Sequence, residues 1–314
     1  MAQTDLVTGA FGFSGSRIAE RLLADGRAVR TLTRRAAGDH PLSGRVETLP
    51  AAFDDESLAR ALTGVDTVYV TYWMRFPRGR ATWVELVDNV ARLAGAARRA
   101  GARRLVYVSV SNARPDSSTA YFRAKAAAED AVRAAAGDAL SVAIVRPTLL
   151  YGAGVILINN MAWTLRRLPL FGIPGDGRYR VQPVLVDDVA ELCVTLGKRD
   201  DEVDIDAAGP ETLIFDELVR LVRGAVRSRA LLVHLPPLLV LAATRLIGVA
   251  VRDVVLTRDE VRELTESLLV SDTAAGTCPT RFSDWVAEHA DSIGRHYSSE
   301  LARNFRLKMP TTLA

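Results

Sequence analysis

The run Leu6-Val7-Thr8-Gly9-Ala10-Phe11-Gly12-Phe13-Ser14-Gly15 constrains this chain more than any other. A short apolar stretch leads into three glycines spaced three apart. A segment with Ile18, Leu22 and Leu23 on one side follows. The pattern reads strand, tight turn, amphipathic helix. Glycine lets the backbone turn sharply and lets a ligand come close. A helix that starts there aims free N–H groups and a positive dipole end at that ligand. A dinucleotide pyrophosphate is the group such a turn suits; a turn kept only for packing is the alternative.

Short β-type runs then alternate with helical patterns. Strands are expected over 5–8, 28–33, 45–49, 67–71, 104–109 and 141–146, and helices over 14–24, 56–62, 82–100 and 120–136. This alternation implies an α/β fold, a doubly wound parallel sheet of Rossmann type with helices on both faces. Val68-Tyr69-Val70 and Leu105-Val106-Tyr107-Val108 are apolar throughout, as strands buried on both faces are. After Val145 the rhythm breaks at Pro147, Gly152 and Gly154. Residues 1–150 are therefore expected to form a dinucleotide-binding domain. Residues 184–206 are expected to return to it, and 151–314 to form a smaller, mostly helical substrate-binding region. In that region 183–190 reads as a strand running into a helix capped by Asp187 or Asp188. Helices are expected over 215–226, 237–251, 257–269 and 283–305, the last through Trp285, Ile293, Tyr297 and Leu301.

Bulk properties exclude several classes. Lys and Arg total 40 against 37 Asp and Glu, and the cations are scattered among acids with no run interleaved with aromatics, so no nucleic-acid partner is expected. Cys193 and Cys278 have neither metal nor disulfide-framework spacing, and the four histidines form no metal pattern, so no metal is expected. The first residues carry no secretory pattern, and a cytoplasmic protein is expected. The longest apolar stretch, 230–251, is broken by His234, Pro236, Pro237 and Arg245, and is shorter than the ~20 residues a spanning helix needs. A buried or interface helix is expected there rather than peripheral membrane contact.

Two constellations carry chemistry. Where an acidic residue would grip the ribose 2′-hydroxyl of NAD, the second strand ends in Arg34-Arg35. Guanidiniums match a 2′-phosphate, so NADP(H) is favoured over NAD(H); two solvated arginines in an Arg-rich chain are the alternative. The second constellation is Tyr121-Phe122-Arg123-Ala124-Lys125. On a helix, i and i+4 share a side, so phenol and ammonium project together. An ammonium nearby lowers a phenol pKa toward useful acid–base range. Ser111, after the fifth strand, is placed to donate to a substrate carbonyl, and otherwise reads as a turn serine.

Taken together, these residues resemble the extended, atypical branch of the short-chain dehydrogenase/reductase superfamily, which includes epimerase- and dehydratase-like members. The resemblance rests on Thr8-Gly9-x-x-Gly12-x-x-Gly15, Asn89, Ser111, Tyr121-x-x-x-Lys125, Arg146-Pro147-Thr148-Leu149-Leu150-Tyr151-Gly152 and Val186-Asp187-Asp188-Val189-Ala190. It covers most of the first two hundred residues. Its nearest flavour is the group similar to the NADPH-binding accessory subunit of respiratory complex I. It implies that Tyr121 is the general acid/base, that Lys125 holds the nicotinamide ribose, and that Ser111 orients the carbonyl. It further implies that Gly9, Gly12 and Gly15 carry the pyrophosphate turn with Phe13 over it, that Thr71 lies near the adenine-side ribose, and that Pro147 lies beside the nicotinamide. The implied activity is hydride transfer between NADP(H) and a ketone or secondary alcohol. A non-catalytic NADPH sensor or assembly protein, and an NAD-dependent sugar epimerase, are the alternatives. A small-molecule substrate and a monomer or homodimer are expected.

The chain departs from the family pattern in three places. Ala51-Ala52 stands where a Gly-Asp pair often meets the adenine. Tyr72-Trp73-Met74-Arg75 is bulkier than the small residues usual after the fourth strand, and reads as closing over the cofactor or lining the substrate pocket. Asn112-Ala113 replaces the Asp-Glu pair of sugar-nucleotide dehydratases, which argues against dehydration. Trp163, Leu168, Leu170 and Phe171 read as core or as an apolar pocket wall. Asn159-Asn160 reads as a polar substrate contact or a solvated turn.

Overall fold

A computed structural model describes residues 3–34, 37–38, 40–79, 81–273 and 276–304. Along the chain the elements are β1 (Thr4–Val7), α1 (Phe13–Ala24), β2 (Ala28–Thr33), β3 (Glu47–Pro50), α2 (Asp55–Leu62), β4 (Val65–Val70), α3 (Trp83–Arg99), β5 (Arg104–Val108), α4 (Ala120–Ala136) and β6 (Ser141–Pro147). There follow β7 (Leu149–Tyr151), α5 (Ile156–Arg167), β8 (Leu170–Pro174), β9 (Arg180–Val181), β10 (Pro183–Leu185), α6 (Val186–Gly197), β11 (Val203–Ala207), β12 (Leu213–Ile214) and α7 (Phe215–Ala225). The last are β13 (Leu231–Leu235), α8 (Pro237–Val251), α9 (Arg258–Thr265), α10 (Phe282–Glu288) and α11 (Glu300–Asn304). Two compact units result. The first takes Met1–Pro147 and Val186–Asp206, and the second takes Thr148–Leu185 and Ala207–Arg306.

The first unit holds a seven-stranded sheet in the order β11-β6-β5-β4-β1-β2-β3. The pairs β1–β2, β1–β4, β2–β3, β4–β5 and β5–β6 are all parallel. This is the Rossmann-type α/β sheet, and its order reverses between β1 and β4, the place where such sheets take ligands. Alternate strand residues serve opposite faces. Leu6, Val68, Leu105, Tyr107, Val142 and Ile144 pack with Leu58 and Leu62 of α2, Val90 and Leu93 of α3, and Ala128 and Val132 of α4. The neighbours between them face α6. There Tyr69 is buried, and burial drives its phenol well above its ordinary pKa. A Cβ at Gly197 would overlap the Tyr69 Oη. Gly197→Ala is therefore expected to cost about 1–3 kcal/mol, read as a fall in Tm. An unchanged Tm would mean that α6 slides freely on the sheet.

One N-cap expectation is corrected. The helix after β10 begins at Val186, so Asp187 and Asp188 lie in its first turn rather than at its cap. Both favour the positive end of the helix from there, and Asp187 lies within ion-pair distance of Arg17 and Arg21 of α1.

The second unit is built on three short ribbons: β7 with β10 and β8 with β13, both parallel, and β9 with β12, antiparallel. Its core joins Tyr151, Met161, Leu165, Ile173, Phe215, Leu218, Phe282 and Trp285. The continuous helix expected over 283–305 is instead α10 and α11, separated by a turn-rich connection. Gly294 lies in that connection with φ +70°, and a Cβ there would sit 2.5 Å from Ala162 C and Trp163 N. Asn159 and Asn160 hold this segment: Asn159 Nδ2 donates to His296 O at 2.8 Å, and Asn160 Nδ2 donates to Ser298 O at 2.9 Å. Their amides close internal bonds rather than a substrate site. Helix α8 has the expected extent, yet only Val240, Leu241 and Gly248 are buried. Of the expected alternatives, a buried or an interface helix, the buried one does not hold.

Candidate active site

The turn after β1 is shaped by its glycines. Gly9 has φ +68°, which only glycine adopts without strain. A Cβ at Gly12 would stand 2.9 Å from Gly9 O, and a Cβ at Gly15 would overlap that same oxygen and stand 2.8 Å from Gly9 C. Gly12 N donates to Gly9 O at 2.7 Å, closing the loop. Gly12 is the N-cap of α1, whose first-turn N–H groups receive no side-chain cap and face no acidic residue of that turn. Those donors remain available to an anion. Phe13, half-buried, is the first residue of the helix.

Side chains of the neighbouring strands fasten this turn. Thr8 N donates to Tyr69 O and Gly9 N to Leu32 O, so the chain leaves the sheet between β4 and β2. Thr71 N donates to Thr8 Oγ1 at 2.8 Å, and Thr71 Oγ1 donates to Thr8 O. Ala10 N donates to Thr31 Oγ1 at 3.0 Å. The glycine cradle and the uncapped helix end fit a pyrophosphate, so the residues present suit a dinucleotide. Arg34 follows β2 directly and is exposed. Arg35 lies outside the described residues.

At the carboxyl ends of β5 and β6 stand the other expected residues. Ser111 is fully buried, and its N–H donates to the carbonyl of Pro147, the last residue of β6, at 2.9 Å. Lys125 is 2% exposed, and its Nζ donates to the carbonyl of Val108, the last residue of β5, at 2.9 Å. Burial holds the ammonium down to about 7, against the opposing pull of Glu129 one turn on. Tyr121, half-buried, is the second residue of α4.

Aromatic rings pack around Lys125 and Tyr121; sequence reasoning singled out Trp73, with Tyr72 beside it in the chain, but not Trp83. Lys125 Nζ lies 4.2 Å from the Trp73 ring centre and 5.0 Å from that of Tyr107. Trp73 stacks on Trp83 at 5.7 Å, and both meet Tyr121 edge-on, at 6.3 and 5.7 Å. Tyr72 packs on Phe53 and accepts from Asn89 Nδ2 at 3.4 Å. The bulk after β4 was the available signal for Trp73; nothing in the sequence pointed to Trp83. Four buried atoms near these rings, Trp73 Nε1, Tyr107 Oη, Ser109 Oγ and Thr119 Oγ1, have no hydrogen-bond partner among the described residues. Buried polar groups are normally satisfied, so these are donors and acceptors left for something else. Behind Lys125, buried Glu129 accepts from Arg146 Nε at 3.0 Å, and Arg146 Nη2 also reaches Asp204 at 2.8 Å. This holds α4 against β6 and β11.

Residues 6–207 match the NAD dependent epimerase/dehydratase family. The chain belongs to that family. The glycine turn lies at the switch in strand order. The chain is 31% identical over 191 residues to a protein named ceramide reductase from Caulobacter vibrioides, which covers 60% of this chain and 59% of that one. The match thus spans less than two thirds of the Caulobacter protein. It is 26% identical over 289 residues, 85% of this chain and 71% of the other, to NADH dehydrogenase (ubiquinone) 1 alpha subcomplex subunit 9, mitochondrial, from Arabidopsis thaliana. The crystal structure of UDP-N-acetylglucosamine 4-epimerase from Bacillus cereus superposes with a TM-score of 0.66 at 18% identity, covering 91% of this chain and 95% of that one. That likeness is one of fold.

The family is described as NAD dependent epimerases and dehydratases, and the chain has the fold of its solved neighbours. Pro147 is the buried last residue of β6, and its carbonyl accepts from Ser111 N. Of the apolar side chains proposed for a pocket wall, Phe171 packs on the second unit's core, Trp163 meets Tyr297 edge-on at 5.2 Å, and Leu170 is exposed. Leu168 is half-buried at the C-cap of α5.

Proposed function

We propose that this protein passes a hydride between the nicotinamide of NADP(H) and a ketone or secondary alcohol. The observation that carries the reading is the arrangement of Ser111, Tyr121 and Lys125 around the ends of β5 and β6, in the same unit as the glycine cradle. The bound cofactor supplies or accepts the hydride. The Tyr121 hydroxyl gives its proton to the carbonyl oxygen as that oxygen gains charge, and takes it back in the reverse direction. The Ser111 hydroxyl donates to the same oxygen. Lys125 spends one N–H on Val108 and has two more for the ribose hydroxyls. Trp73 and Trp83 give the site an aromatic wall suited to an apolar substrate. The Caulobacter relative, named for a reduction, supports the carbonyl-reducing direction.

The preference for NADP(H) rests on Arg34 and Arg35, with no carboxylate at the end of β2. Arg34→Asp is expected to shift the ratio of kcat/KM values for NADPH over NADH about tenfold or more toward NADH, since a guanidinium–phosphate pair is worth roughly 1.5–3 kcal/mol. An unchanged ratio would place the 2′-phosphate elsewhere. Mass analysis of the nucleotide that co-purifies is the direct companion measurement. Tightly retained NAD would favour the epimerase reading instead.

One observation favours a second reading, nucleotide binding without turnover: the Trp73 ring covers Lys125. The Arabidopsis relative, named as a subunit of a dehydrogenase, is in keeping with it. That reading predicts NADPH binding with no substrate-dependent change in nicotinamide absorbance across a broad carbonyl panel.

A further inference from the structure

Residues 218–252 contain six arginines, Arg220, Arg223, Arg227, Arg229, Arg245 and Arg252, and no aspartate or glutamate. Some arginines elsewhere are matched with carboxylates, as Arg27 is with Asp5 and Asp66, and Arg146 with Glu129 and Asp204. In this stretch Arg227, Arg229, Arg245 and Arg252 are exposed. None of these four is ion-paired among the described residues, whereas Arg220 pairs with Asp216.

The same stretch carries the largest group of exposed apolar side chains. On α8, Leu238, Leu246 and Val249 are 68%, 75% and 78% exposed, and Leu239 is 55% exposed. With Ala242 they fall at helical spacing on one side, opposite the buried Val240, Leu241 and Gly248. Arg245 lies at the edge of this stripe, and Arg252 caps the helix. In the ribbon beneath, exposed Leu231 pairs in register with exposed Leu170. An apolar patch rimmed by unpaired cations marks an interaction site.

We propose that this face of the second unit docks on an anionic lipid surface, with α8 lying in the plane of the interface. Charge and polarity choose the occupant. An anionic bilayer offers headgroups to the arginines and acyl chain to the leucines at the same depth. A second copy of the chain, paired by a two-fold axis, would set this cationic face against itself. No described helix is long and apolar enough to cross a membrane, so α8 lies on the surface rather than spanning it. The inference uses no residue of the candidate active site and stands or falls apart from the proposed reaction.

Vesicle flotation of the full chain tests it. The protein is expected to float with phosphatidylcholine vesicles containing phosphatidylglycerol, to float much less with phosphatidylcholine alone, and to be released by high salt. Leu246→Glu with Val249→Glu is expected to lower the apparent partition coefficient at least about tenfold. Arg245→Ser is expected to lower it about fivefold, from the ~1 kcal/mol that each cation contributes near an anionic surface. These side chains are exposed, so an unchanged Tm checks that the variants fold; should the double variant not fold, Leu238→Gln serves in its place. Absence of flotation, or flotation that neither class of variant weakens, overturns the proposal. A solution dimer that Leu246→Glu dissociates assigns the face to a second copy and also overturns it.

Discussion

Tyr121→Phe is expected to bind NADPH as the wild type does and to turn over about 10²–10⁴-fold more slowly, the range general acid–base catalysis commonly supplies. The substitution removes one oxygen and keeps the ring. The edge-on contacts with Trp73, Trp83 and Phe122 depend on that ring, so the packing at the start of α4 survives. The phosphate cradle lies on a different element and is untouched. What disappears is the proton on the reacting oxygen's path. On the proposed mechanism Ser111 would still donate to that oxygen but have no base beside it to replace the proton, so the loss is expected on kcat rather than on nucleotide affinity. Titration by nicotinamide fluorescence beside steady-state turnover separates the two. Undiminished turnover removes Tyr121 from the mechanism. Intact binding in both proteins with no turnover in either leaves the nucleotide-binding reading.

The sequence exposes some of this geometry far better than the rest, and the difference is physical. The turn after β1 is legible because its glycines are sterically compelled: Gly15 faces Gly9 O with no room for a methyl group. Helix α4 is legible from end to end because its alanines and its Tyr–Lys spacing fit one element, and its bounds are those expected. Periodicity fails over 283–305, where Trp285, Ile293 and Leu301 are buried from α10, the connection and α11 respectively. Gly294 is left-handed in that connection, and Ala162 and Trp163 leave no room for a Cβ there. The ribbon of β8 and β13 pairs residues about sixty positions apart, and no local pattern announces that. Trp73 stood out as bulky, yet nothing local says that its ring lies on Lys125. The exposure of α8 was likewise hidden, since an apolar stretch reads as core whether or not the fold covers it.

That placement of Trp73 sets up the second large effect. Lys125→Met is expected to abolish turnover and to make the protein more stable at pH 6. The ammonium is 2% exposed, and burial brings it from 10.5 down to about 7. At ~1.36 kcal/mol per pKa unit, keeping that charge buried costs up to about 5 kcal/mol. Methionine fills similar space with no charge, and its sulfur suits the faces of Trp73 and Tyr107. It forfeits the bond to Val108 O, worth roughly 1.5–3 kcal/mol, which leaves a gain of about 2 kcal/mol. The sign follows the proton. Below pH 7 folded and unfolded chains both hold it, and the wild type bears the full penalty. Between 7 and 10.5 only the unfolded chain holds it, so wild-type stability climbs with pH and the variant's advantage shrinks. Near 10.5 the penalty is gone, only the lost hydrogen bond remains, and the variant is the less stable protein. Melting curves of both proteins from pH 6 to 10 are therefore expected to cross. Parallel curves would mean that Lys125 titrates alike in the folded and unfolded chains, and that burial beneath Trp73 exacts no cost that function must justify.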